Sequence, residues 1–134
     1  MISLQSKMKT IIAGSRSNIE YRDVLSAMEE CPWLSEITEV VSGKARGVDT
    51  LGEQWANQNN IFIKEFPANW KKFGKSAGLR RNEEMGDYAD ALVAIWDGES
   101  RGTKHMIDYS KNKGLKVFVY NLKDKKSLIS RIFG

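Results

Sequence analysis

Residues 40–56 read VVSGKARGVDTLGEQWA, and the order of elements in this stretch decides the fold. Ile37, Val40 and Val41 form a hydrophobic approach to a polar turn with glycines at 43 and 47. Val48, Leu51, Trp55 and Ala56 then recur at i, i+3, i+7 and i+8, the spacing of a helix with one face packed on a sheet. A strand, a glycine-bearing turn and a helix start make an anion site. Glycine lets backbone N–H groups approach a phosphate, and the helix N-terminus adds unpaired donors and the positive end of its dipole. Lys44 and Arg46 put two cations inside the turn. Thr50 and Glu53 have capping-box spacing for the helix.

Outward from this unit the same alternation repeats. Residues 8–13 (MKTIIA) read as a first strand closed by Gly14-Ser15-Arg16. Ser17 with Glu20 fits a capping box, and Tyr21, Val24, Leu25 and Met28 give the next helix its buried face. Pro32 ends that region. Residues 61–66 (IFIKEF) predict a third strand, followed by the longer connection PANWKKFGKSAG and a short helix over about 79–88. DALVAIW (90–96) is the most apolar strand and reads as an interior one. A helix over 102–113 and a strand over 116–120 follow, and residues from Lys125 add a short helix with Leu128, Ile129, Ile132 and Phe133 as its apolar side. The β-α alternation predicts an α/β, three-layer Rossmann-like domain, with a mainly parallel sheet of about five strands and helices on both faces. One domain spans 1–134, with its core at about 8–120 and a tail over 121–134.

Composition bounds the function. The chain has 134 residues, one cysteine (Cys31), one histidine (His105) and a net charge of +4. A single cysteine excludes an internal disulfide and a cysteine-rich zinc site. No carboxylates cluster around His105 at metal-ligand spacing, so no metal is expected, and no cofactor requirement is visible. No apolar run approaches the ~20 residues of a membrane span, and MISLQSKMKT lacks the apolar stretch of a signal peptide. The expectation is a cytoplasmic protein with no membrane partner. Ten of the 21 basic residues fall in the four loops that follow strands. In a parallel sheet those loops share the carboxyl edge, where such sheets bind ligands.

Four of these segments can carry chemistry. In Gly14-Ser15-Arg16, a small turn can hydrogen-bond phosphate or ribose while the arginine forks onto phosphate; the same residues also make an ordinary strand-to-helix turn. In the second, Ser42, Gly43, Lys44, Ala45, Arg46, Gly47 and Asp49 are candidate ligand residues. Asp49 reads equally as a ribose ligand or as a carboxylate favoured by the helix N-terminus, and Thr50 as a plain cap. In the third, GLRRNEEM (78–85), Arg81 and Asn82 reach toward the edge, while Glu83 and Glu84 complement the helix dipole. Trp70, next to it, can stack on a base or lie over the core. In the fourth, Asp97-Gly98-Glu99-Ser100-Arg101-Gly102-Thr103-Lys104, strand end, glycines, hydroxyls and cations recur at a helix start. Asp97 is the candidate for ribose or water, and Gly98, Ser100, Arg101, Gly102 and Thr103 for phosphate. His105 reads as a surface or packing residue. No nucleophile triad, Walker signature or GxGxxG fingerprint is present.

Together, Gly14-Ser15-Arg16, SGKARGVD (42–49), FPANW (66–70), GLRRNEEM (78–85) and WDGESRGTKHMI (96–107) resemble the SLOG superfamily. The superfamily includes DprA/Smf and the LOG (lysine decarboxylase-like) phosphoribohydrolases; the resemblance is greatest to its small, single-domain YspA-type (cpYpsA-related) group of bacteria and their phages. The resemblance implies a nucleotide or nucleotide-derived ligand at these loops, a homo-oligomer (dimer or higher), and a bacterial or phage-encoded protein that senses, sequesters or processes that ligand. LOG enzymes cleave an N-glycosidic bond with a Pro-Gly-Gly-x-Gly-Thr-x-x-Glu loop and an arginine. Here the loop reads DGESRGTKHM, and the glutamate position falls on His105 or Met106. The missing carboxylate weighs against that hydrolysis unless Asp97 or Glu99 replaces it.

Three readings follow. The first is a binding module for a nucleotide or nucleotide-derived molecule, such as a second messenger of the cyclic ADP-ribose type in phage–host conflict. The second is a hydrolase or N-glycosidase on such a substrate, with Asp97 as candidate catalytic residue. The third is a DprA-like binder of single-stranded DNA, disfavoured by the mild charge.

Overall fold

A computed structural model of the protein describes residues 7–124. Five strands, β1 (Met8–Gly14), β2 (Ile37–Ser42), β3 (Phe62–Glu65), β4 (Ala91–Trp96) and β5 (Lys116–Asn121), pair in parallel in the order β3-β2-β1-β4-β5. Between them run α1 (Tyr21–Glu30), α2 (Val48–Gln58), the single turn α3 (Trp70–Phe73), α4 (Ala77–Tyr88) and α5 (Arg101–Asn112). The α/β Rossmann-like expectation holds. The apolar helix expected from Lys125 lies outside the described residues.

Period-2 alternation along the strands sorts side chains to two faces. Ile12, Val40, Val93 and Ile95 face one way and meet Val24, Ala27 and Met28 of α1 with Val48, Trp55 and Ala56 of α2. Ile11, Ala13, Val41, Leu92 and Ala94 face the other and meet Met85 of α4 with Met106 and Ile107 of α5. Each fully buried Ile, Leu or Val contributes about 1.5–3 kcal/mol. β4 is apolar along its length because it pairs on both sides and is covered on both faces. β3 is an edge strand, and Phe62 on it is 82% exposed.

Several local expectations change. Helix α1 is capped by Glu20 with Asp23, not by Ser17 with Glu20, because the chain turns into the helix only at Tyr21. Leu25 is 41% exposed: the face of α1 toward the sheet is carried by Val24, Ala27 and Met28. Thr50 and Glu53 do not form a capping box, because α2 begins earlier, with Gly47 at its N-cap. The Thr50 hydroxyl instead donates to the Ala45 carbonyl, and Glu53 turns to Ser42 and Lys44. Helix α4 starts two residues before the expected boundary.

Candidate ligand site

Strand order reverses beside β1: β2 and β3 follow on one side, β4 and β5 on the other. The loops after β1, β2 and β4 therefore meet at a switch point on the carboxyl edge, where open α/β sheets leave a crevice. The second and fourth loops lie on either side of the first. Ser15 fastens all three together. Its N–H donates to the Ile95 carbonyl at 3.1 Å, its carbonyl accepts from Val48 N–H at 3.0 Å, and its hydroxyl accepts from Asp97 N–H at 3.2 Å.

Glycine makes that closure possible at two points. A Cβ on Gly14 would sit 2.0 Å from the Ile95 carbonyl oxygen. Gly47 has φ +80°, and a Cβ there would lie 2.4 Å from the Ser15 carbonyl oxygen and 2.5 Å from Arg16 Cα. Gly47 thus seats the second loop against the first rather than facing the ligand.

An inner cleft of about 50 Å³ opens between α2, α4 and α5, walled by Arg16, Asp49, Arg81, Asn82, Ser100 and Thr103, with Ala13, Gly14, Ala45, Met85, Gly102 and Met106 completing it. Arg81 is 7% exposed and Asp49 6%. Arg81 Nη1 donates to the Gly43 carbonyl, and Nε donates to Asn82 Oδ1 at 3.1 Å. A guanidinium has five N–H donors, so much of this buried cation's donor capacity is left for the cleft. A Cβ on Gly43 would lie 2.8 Å from both Arg81 Nη1 and Asp49 Oδ2, which places the two charged groups side by side behind that glycine.

Burial pushes the Asp49 carboxyl up to about 6, against the lowering effects of the Ala45 N–H, Arg81 and Arg16. Burial also lowers the pKa of Arg81, partly offset by Asp49. Asn82 Nδ2 donates to the Gly102 carbonyl at 3.2 Å and lies 3.3 Å from His105 Nδ1, so α4 and α5 are tied together at the cleft floor. Ser100 caps α5 by accepting from Thr103 N–H at 3.4 Å and Thr103 Oγ1 at 3.0 Å.

A second, wider chamber of about 490 Å³ adjoins the cleft, and Arg16, Ala45 and Arg81 border both. Its remaining wall is Gly43, Lys44, Arg46, Pro67, Ala68 and Trp70.

A sequence profile described as the YspA, cpYpsA-related SLOG family matches residues 8–73. The chain is also 36% identical over 92 residues to Gene 61 protein of Mycobacterium phage D29, which spans 64% of this chain and 72% of that protein. The chain belongs to the YspA, cpYpsA-related SLOG family. No solved structure shows a significant match.

In this SLOG domain the residues singled out from sequence divide into two groups. Gly14, Arg16, Gly43, Ala45, Asp49, Trp70, Arg81, Asn82, Ser100, Gly102 and Thr103 border the two chambers. Lys44 and Arg46 border the outer one, but Lys44 Nζ is held by Glu53 at 3.0 Å and Glu65 at 3.5 Å. Ser15, Ser42, Gly47, Asp97, Gly98 and Arg101 do not border either. The Ser42 hydroxyl donates to Glu53 Oε2 at 2.6 Å.

Asp97 organises its own loop. Its Oδ1 accepts from Glu99 N–H and Ser100 N–H, both at 2.8 Å, and these bonds hold the carboxyl below the usual range. Glu99 is exposed and paired with Lys123 at 2.7 Å. The two carboxylates proposed from sequence to replace the LOG glutamate are thus occupied elsewhere, and the carboxylate in the cleft is Asp49.

Sequence reading did not single out Met85, and named Met106 only as a position of the missing LOG glutamate; both line the inner cleft at 1% exposure. The signal was present: each lies one helical turn, i+4, beyond a chosen residue, Arg81 and Gly102 respectively.

Proposed function

We propose that this SLOG domain binds a nucleotide or nucleotide-derived molecule at the carboxyl edge of its sheet, as a sensor or sequestering protein. The observation that carries the reading is Arg81: a buried guanidinium at the switch point, beside the exposed Arg16 and below the N-termini of α2 and α5. Cations and unpaired backbone donors at such a place favour an anionic ligand, and family membership supports a nucleotide-related one. The Mycobacterium phage relative supports a phage-encoded origin.

Thermal melting against a panel of nucleotides tests this reading, with chromatography of each mixture to detect turnover. Binding without turnover is the expected result; a panel in which no nucleotide raises the melting temperature rejects it. Arg16→Ala removes an exposed residue that packs no core, so it leaves the fold intact. It is expected to weaken the bound nucleotide about 10- to 100-fold, the scale of one charge-assisted hydrogen bond.

Asp49 supports a second reading, N-glycosidic hydrolysis of such a ligand. A carboxyl held near pH 6 in a cleft can carry a proton at neutral pH. Release of free base or ribose phosphate, abolished in Asp49→Asn with binding retained, would establish it; intact nucleotide after prolonged incubation ends it.

A further inference from the structure

The outer chamber differs from the inner cleft in chemistry as well as size. Its wall contains Arg16, Lys44, Arg46 and Arg81 and no carboxylate. Lys44 is already matched by Glu53 and Glu65. Arg16 and Arg46 are exposed and form no ion pair among the described residues. Arg16, Arg46 and Arg81 therefore face one open space whose wall holds no carboxylate, with Asp49 behind Arg81 on the side of the inner cleft.

Across that space stands Trp70, 54% exposed although tryptophan is among the largest apolar side chains. Gly78 shows where its ring ends. A Cβ at that position would meet Trp70 Cη2 at 3.5 Å and Arg81 Nη2 at 3.8 Å, so the far edge of the indole and the guanidinium shared by the two chambers both border Gly78. An exposed aromatic face next to cations is the combination that holds a base and its phosphate together.

We infer that the outer chamber takes the base and linked phosphates of a nucleotide bearing at least two phosphate groups. The base lies on Trp70 and the phosphate chain runs past Arg46 to Arg16 and Arg81. This rests on the nucleotide reading above and narrows it. A monophosphate carries about −1.5 to −2 charges at neutral pH, which Arg16 and Arg81 at the junction already match. Arg46 gains a counter-charge only when a second phosphate enters. The inner cleft, less than half as large, takes the sugar or whatever group extends beyond the phosphates, against Asp49, Asn82, Ser100 and Thr103.

Titration of the intact protein with AMP, ADP, GMP, GDP, UMP, UDP and inorganic pyrophosphate, followed by calorimetry and tryptophan fluorescence, tests the inference. Trp33 and Trp55 are buried, and Trp96 is half-buried with its Nε1–H donated to the Ser100 carbonyl, so it is the loss of nucleotide quenching in Trp70→Leu, with no quenching by pyrophosphate, that reports the stacked base. The diphosphates are expected to bind at least tenfold tighter than the matching monophosphates. Trp70→Leu is expected to weaken the preferred diphosphate about tenfold or more, leaving pyrophosphate unchanged, and Trp70→Phe to retain most of the affinity. Arg46→Ala is expected to shrink the diphosphate-to-monophosphate ratio. If nucleotides bind, but mono- and diphosphates bind alike and both Trp70→Leu and Arg46→Ala are silent, the inference is wrong while the nucleotide reading stands. If none of the nucleotides binds, both fall.

Discussion

Asp49 is a carboxylate that folding moves toward its protonated form, and that fixes the sign of its effect on stability. Its pKa rises from 3.8 to about 6 on burial. Between those values the native state binds the extra proton, so the contribution of Asp49 is most favourable below about pH 4. It declines as pH climbs through about 6, and above that the ionised group costs on the order of 2–3 kcal/mol. Asp49→Asn keeps an acceptor for the Ala45 N–H and removes the charge. The variant is expected to be more stable than the wild type at pH 8 and equal to it at pH 4, as measured by urea denaturation at a series of pH values. A wild-type advantage at pH 8 would mean that the nearby guanidiniums outweigh burial. In sequence, Asp49 was equally a ribose ligand and a helix-start carboxylate. No local pattern separates the two, because burial and the charges that act on Asp49, among them Arg81, 32 positions away, come from distant parts of the chain. Asp97 shows the converse: its two short bonds to the Glu99 and Ser100 N–H groups are local, and an aspartate two and three residues ahead of those donors is a recognised turn pattern.

At the level of elements, the inner cleft depends on how closely α4 and α5 approach. Gly86 on α4 faces Tyr109 on α5, where a Cβ would lie 2.6 Å from the ring carbon Cδ1, and Tyr109 is held by Asp87 at 2.6 Å. Gly86→Ala is therefore expected to destabilise the wild type by about 1 kcal/mol, the overpacking cost less the gain in helix propensity. In a Tyr109→Ala background the same change is expected to stabilise by about 0.5–1 kcal/mol, since only the propensity gain remains. A double-mutant cycle by chemical denaturation measures both, and the change of sign is the diagnostic result. Element type was legible from periodicity. Element ends were less so, because α1 and α2 begin at backbone turns set by Glu20 and by the seating of Gly47 on Ser15. Those turns need not carry the Ser/Thr spacing that marks a cap in sequence.

At the level of the whole molecule, the charge is modest, +4, and Arg16, Arg46 and Arg81 are gathered in one chamber at one edge of the sheet. Such an arrangement suits a compact anion rather than a long polymer. Binding of a nucleotide is expected to weaken only gradually with salt. A single-stranded DNA site would show a log–log slope of about −0.7 per phosphate contacted, and so a steep loss of affinity. Titration of an oligothymidine and of the preferred nucleotide from 50 to 300 mM salt, roughly the range over which such losses become large, separates the two. A steep slope and tight oligothymidine binding would favour the DNA reading. Among the described residues no helix is long and apolar enough to cross a membrane.

Residue pattern alone was enough for the layered α/β architecture, the edge of the sheet at which such folds bind ligands and the loops that border it. Hydrophobic period, glycine placement and strand–helix alternation are local properties, and the connection rules for parallel sheets convert them into topology. Which residues of those loops face the two chambers was set by tertiary packing. It turned Asp97, Ser15 and Ser42 to holding the loops, buried Asp49 beside Arg81, and left Trp70 and Arg46 open to the outer chamber. The physical reason is that burial and the pairing of charges are set by groups far apart in the chain, which meet only when strand order brings β1, β2 and β4 together.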